Sequence, residues 1–186
     1  MFDKSILLPS KILVKATCKR IHLHWTAGPA QSRADEAVHY HAILNQDLTI
    51  NPGLYTIMDN YSIPAGKTAY AAHTKGANTQ AFGYSLAGMR GAKESPFDPG
   101  PDPITEAQWS RAMIHIAQLC KFYGITPGPK TVLTHAEVTK NLGIKQNGKW
   151  DITVLPWQPK EWNTAEKVGN LMRAEILHIL KKGELP

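Results

Sequence analysis

The chain has 186 residues, 42% of them apolar, which is enough for one domain with a hydrophobic core of its own. Lys and Arg number 21 against 15 Asp and Glu, and the resulting charge of +6 (pI near 9.3) favours polyanionic surroundings such as nucleic acid, anionic lipid or a bacterial cell wall. No recognition-helix, zinc-finger or stacking-sheet signature supports nucleic acid, and no run approaches the ~20 apolar residues of a membrane span.

The opening MFDKSILLPSKILVK places an acid ahead of its lysines and has only short apolar runs, so it does not read as a secretory leader. The expectation is a soluble, monomeric product made in the cytoplasm, with no membrane insertion and no nucleic-acid partner. Cys18 and Cys120 are too few for a disulfide framework and lack metal-type spacing, which predicts two reduced, buried thiols.

RIHLHWTA, residues 20–27, predicts a strand running into a Gly28-Pro29 turn. QSRADEA predicts a short helix, and VHYHAIL and LTI, parted by NQD, predict a hairpin. TAYAAH and AFGYSLAGM are two further apolar segments, the second with the alternation of a sheet strand. AKESPFDPGPDP, residues 92–103, holds four prolines and must be irregular. Thr105 and Gln108 then form a capping-box pattern for a helix whose apolar face runs through Ile114, Leu119 and Phe122 and which stops at Gly124. KTVLTH predicts a short buried strand delivering His135 at its end. After an Asn-Gly turn comes WDITVLPW, and an amphipathic helix over about 163–182 is capped by Thr164 or Asn163. This order predicts an α/β single domain over 1–186, a central mixed β-sheet flanked by α-helices.

The chain has eight histidines. His115 and His178 lie within helices and read as structural. In a strand, alternate side chains share a face, so His22 and His24 project together, about 7 Å apart. His39 and His41 repeat the H-x-H spacing. Alternation leaves open whether both members of the first pair bind metal, one does, or neither. A catalytic zinc takes three protein ligands and a water. His24, just before TAG, and His135, just before AEV, stand at strand ends, and a carboxylate can come from Glu137, Asp151 or Asp102. There is no H-E-x-x-H motif. Ser85 in GYSLAG misses the G-x-S-x-G elbow by one position. Neither cysteine lies in an electropositive turn, and no phosphate-binding glycine loop is present.

Four segments in order, IHLHWTAG, VHYHAIL with LTI, AAHTKGANTQAFGYSLAG, and LTHAEV with GKWD, resemble the zinc-dependent N-acetylmuramoyl-L-alanine amidases of the type that includes bacteriophage lysozyme-amidases and peptidoglycan recognition proteins. The resemblance runs from about residue 20 to residue 152. It implies that His24, His135 and Asp151 ligate one Zn2+ per chain, that Tyr40 and Lys149 are catalytic, and that His73 and Asn78 lie in the groove and contact muropeptide. It implies a peptidoglycan substrate and cleavage of the amide between N-acetylmuramic acid and L-alanine, as in a phage or prophage endolysin reaching the wall after release. A cytoplasmic recycling amidase and a non-catalytic binding module of the same fold are the alternatives. The stretch from Thr26 to Tyr40 is short beside the family pattern, and the proline-rich insertion is expected to build a different groove wall.

Overall fold

The computed structural model describes residues 4–183 and 185. The expected single domain over 1–186 thus includes Met1–Asp3, Glu184 and Pro186, which lie outside the described residues. Five strands form one sheet in the order β3-β2-β4-β1-β5. These are β1 (Arg20–Trp25), β2 (Ala42–Leu44), β3 (Ile50–Pro52), β4 (Ala81–Leu86) and β5 (Val132–Thr134). β1 runs parallel to β4 and β5, β2 runs parallel to β4, and only the β2–β3 hairpin is antiparallel. The sheet is mixed, as the order of elements predicts.

Two 18-residue helices, α1 (Glu106–Tyr123) and α3 (Ala165–Lys182), cover one face, and α2 (Val138–Leu142) is a single short turn. Each long helix starts on a side-chain cap. Thr105 accepts from Gln108 N–H at 3.1 Å while the Gln108 side chain accepts from Thr105 N–H at 3.0 Å, and Thr164 accepts from Lys167 N–H at 3.2 Å. Gly124 ends α1 in the left-handed region at φ 68°, where a side chain would be strained. Ile21, Leu23 and Trp25 of β1 join Phe82, Tyr84, Met113, Ile116, Met172 and Ile176 in the main core. Burying such side chains is worth about 1.5–3 kcal/mol each against water. His22 and His24, by alternation, face the opposite side.

Several local expectations change. QSRADEA is not helical, because only Glu36–Val38 closes a 3-10 turn. β2 starts at Ala42, so His39 and His41 precede it and do not repeat the β1 pair; His39 is exposed and His41 buried. TAYAAH carries no regular structure. It belongs to the long connection 54–80, which lies over the histidine face and is knit together by buried Asn60. The Asn60 side chain donates to Ala71 O (2.9 Å) and Asn78 O (3.1 Å) and accepts from Ala71 N–H (2.9 Å). Phe122 is 39% exposed and lies off the buried face of α1. Asn163 accepts from Leu155 N–H at 3.0 Å, leaving the α3 cap to Thr164. Cys18 and Cys120 are buried and unpaired, and burial pushes both thiols up to about 12.

Candidate functional site

The end of β1, the residue after β5 and the turn at 148–151 meet on the histidine face. β1 and β5 are adjacent parallel strands, so His24 near the end of one and His135 just beyond the other come together. Two contacts bring in the third segment. Trp150 packs edge-on against Trp25 with centroids 4.7 Å apart, and Ala136 N–H donates to Asp151 O at 2.7 Å.

The three side chains converge on one point. Asp151 Oδ2 is 2.9 Å from His24 Nδ1 and 3.1 Å from His135 Nδ1, and the two imidazole nitrogens are 3.1 Å apart. A tetrahedral zinc with bonds near 2.0–2.1 Å has ligand–ligand edges of about 3.3 Å, so this triangle needs to open by only a few tenths of an ångström to hold one. The donor set, two imidazoles and one carboxylate, also suits zinc and leaves a fourth position for water. These residues fit a metal ion.

Protonation is consistent with that fit. Burial holds His24 down at about 4, so its ring is neutral near pH 7. His135 Nε2 is 3.0 Å from Gln146 Oε1, an acceptor, so the ring proton belongs on Nε2 and Nδ1 faces Asp151 with a lone pair. Gln146 is held in turn by donating to Lys75 O at 2.8 Å.

The other two carboxylates have different partners. Glu137 pairs through both oxygens with Arg173 of α3, at 2.8 and 3.0 Å, and accepts from Thr134 N–H at 3.0 Å. A Cβ on Gly169 would lie 2.2 Å from the Glu137 carboxylate, so the glycine makes room for this buried pair. Asp102 pairs with Arg90 at 2.6 Å. Only Asp151 is left to face the histidines.

A cavity of about 390 Å³ opens over the site, lined by His73, His135, Asp151, Tyr40, Lys149, Trp150 and neighbours. The Tyr40 ring lies 5.3 Å from that of His24, and its hydroxyl donates to Trp25 O over a long 3.4 Å. Burial and the nearby Asp151 charge push that hydroxyl up, so it stays protonated. Lys149 is exposed on the rim.

Of the two residues expected in the groove, His73 lines the cavity. His73 is 7% exposed, with Nε2 3.1 Å from Ala81 O. Asn78 does not line the cavity; its side-chain oxygen accepts from Thr74 N–H at 2.6 Å. His41 Nδ1 accepts from Gly83 N–H at 2.8 Å and its ring stacks on Phe82, which is a structural role. Thr74 and Gln146 escape a reading by spacing because the fold places them, Thr74 against His22 across 52 residues and Gln146 against Lys75 across 71.

The family model described as N-acetylmuramoyl-L-alanine amidase matches residues 15–153. No curated protein matches the chain. Among solved structures, the Staphylococcus aureus hydrolase AmiA in complex with its ligand is 16% identical, with 90% of this chain and 76% of that one covered at a TM-score of 0.51, a likeness of fold. Two Clostridium intestinale URNW structures, the endolysin amidase LysCS and the amidase LysC, are each 17% identical over 69% of this chain, with 86% and 87% of their own length covered and TM-scores of 0.43 and 0.42. The family match spans His24, Tyr40, His135, Lys149 and Asp151, and the chain belongs to the N-acetylmuramoyl-L-alanine amidase family, hydrolases of peptidoglycan amides.

Proposed function

We propose that this chain is a single-domain, zinc-dependent amidase that cleaves the bond between the lactyl group of N-acetylmuramic acid and L-alanine. The observation that carries the reading is the triangle of His24 Nδ1, His135 Nδ1 and Asp151 Oδ2, with edges of 2.9–3.1 Å, at the cavity of a chain in the amidase family. These three residues hold one zinc. When bound, zinc polarises the amide carbonyl and brings the pKa of water toward about 7.

The rest of the chemistry falls to the chain's own groups. The Lys149 ammonium, on the cavity rim, neutralises the negative charge that develops on the carbonyl oxygen during attack. Tyr40 keeps its proton near neutrality and so serves as a hydrogen-bond donor that orients the attacking water or the substrate carbonyl. Collapse of the tetrahedral species breaks the C–N bond and expels the L-alanine amine, which takes up the proton released by the attacking water.

The net charge of +6 suits an anionic wall, and with it the role of a monomeric phage or prophage endolysin. The test is metal analysis of the purified protein followed by digestion of intact sacculi. One zinc per chain and new L-alanine amino termini are expected; neither zinc nor such termini refutes the proposal. Hydrolysis of soluble anhydromuropeptides with intact sacculi untouched moves the role to recycling.

A further inference from the structure

His22, His73 and Thr74 are buried beside the triangle, and the reaction as described uses none of them. Three imidazole nitrogens from three rings surround the Thr74 hydroxyl: His73 Nδ1 at 2.9 Å, His22 Nδ1 at 3.0 Å and His24 Nε2 at 3.4 Å. His24 Nε2 also lies 3.3 Å from His73 Nδ1.

A hydroxyl has one proton to give and two lone pairs to receive with, and a neutral imidazole has one N–H and one bare nitrogen. The protons can therefore be assigned. His73 Nε2 faces Ala81 O, which only accepts, so the His73 proton is on Nε2 and Nδ1 is bare. The Thr74 hydroxyl must donate to that bare nitrogen and has no second proton to give. His22 Nδ1 must then be the donor to Thr74. The other nitrogen of His22 supports this: Nε2 has no partner among the described residues, and a buried orphan acceptor is tolerated better than a buried orphan N–H. His24 Nε2, facing the remaining lone pair of the Thr74 oxygen and the bare His73 Nδ1, must carry its proton as well. A bare nitrogen there would set lone pair against lone pair at 3.3 Å.

We propose that Thr74, with His73 and His22, is a positioning network that locks the His24 proton on Nε2 and so presents Nδ1 to the metal with its lone pair free. Gln146 does the same for His135. The network has its own supports. Thr74 N–H is tied to Asn78 Oδ1 at 2.6 Å, and the His73 ring lies where a Cβ on residue 83 would be, 2.5 Å from its Cγ, so Gly83 is required. The proposal rests on the zinc reading and gives a reason for a histidine at position 22, whose ring touches neither Asp151 nor the cavity.

The test compares Thr74→Val, which keeps the shape and loses the hydroxyl, with Thr74→Ser, which keeps it. Zinc affinity is read by chelator competition, independently of activity. Loss of a group that orients a metal ligand typically weakens binding about 10- to 100-fold, which is the expectation for T74V, with T74S within about threefold of wild type. Because T74V can fail to fold, a second measurement is made on the zinc-loaded wild type: long-range 1H–15N spectra should show His22 protonated on Nδ1 and His73 on Nε2. Wild-type affinity in folded T74V, T74S as weak as T74V, or a bare His22 Nδ1 each overturns the network while leaving the zinc site standing. A wild type that binds no zinc overturns the metal reading, and the network's purpose with it.

Discussion

His115 offers a clean measure of how far burial sets the acid stability of this fold, because it lies among α1, β4 and the N-terminal segment, apart from the His24–His135–Asp151 triangle. Its Nε2–H donates to Ile6 O at 2.9 Å, so its Nδ1 accepts from the Tyr84 hydroxyl at 2.6 Å, and burial holds the ring down at about 4 from an ordinary 6.5. A depressed histidine binds its proton in the unfolded chain and not in the folded one throughout that window. Its contribution is therefore fully present above about pH 6.5 and is lost as the pH falls toward about 4. Between pH 7 and pH 5.5 the linkage relation gives a loss of about 1.2 kcal/mol for this one group. His41, also held at about 4 by burial, adds a similar amount. The perturbation is His115→Gln, which can still bond to Tyr84 and Ile6 but does not titrate. Urea unfolding followed by circular dichroism at the two pH values gives each protein's loss on acidification, and every group shared by the two cancels. The variant should lose about 1.2 kcal/mol less than wild type, whatever its stability at pH 7. An equal loss in both proteins would refute the argument that burial of His115 is linked to acid sensitivity.

Four further outcomes are expected. His24→Ala should abolish zinc binding in equilibrium dialysis and with it hydrolysis, whereas His22→Ala should retain measurable zinc with lowered stability; equal loss in both means the ligand is misassigned. Lys149→Ala should lower kcat by about 10²- to 10³-fold at unchanged zinc content if its ammonium meets the developing oxyanion, and a change in zinc content alone would assign it elsewhere. Gly83→Ala pushes a methyl into the His73 ring and should destabilise by about 1–3 kcal/mol in thermal or urea melts, together with weaker zinc binding. Arg173→Met leaves the Glu137 carboxylate buried and unpaired, for a loss of about 3–5 kcal/mol, and adding Glu137→Leu should recover much of it; a double variant as unstable as the single one speaks against the charge as the cause.

Much of the framework was legible because it depends on local chemistry. The capping box at Thr105 and Gln108, the glycine stop at 124, the β1 strand and the C-terminal helix follow from short-range hydrogen bonding and hydrophobic period. The helix expected at QSRADEA failed for a physical reason. Glu36 turns back to accept from Arg33 N–H at 2.7 Å, and its carboxylate fills the space beside Gly28 instead of facing water on a helix. The hairpin was legible, but not where β2 begins: spacing alone pairs His39 with His41, whereas the strand starts only at Ala42.

The sequence by itself determined the ingredients of the site: two strand-end histidines, a tyrosine, a lysine and an aspartate in a recognisable order. It left His22 equal to His24, and Glu137 and Asp102 equal to Asp151, since alternation and residue type treat each group alike. Tertiary structure sets them apart through contacts at long sequence separation. Parallel pairing of β1 with β5 and the Trp25–Trp150 contact bring residues 24, 135 and 151 to one point, while Arg173 and Arg90 take up the rival carboxylates. His22, one alternation back on the same face, falls beneath the 54–80 connection, with its Nδ1 3.0 Å from the Thr74 hydroxyl.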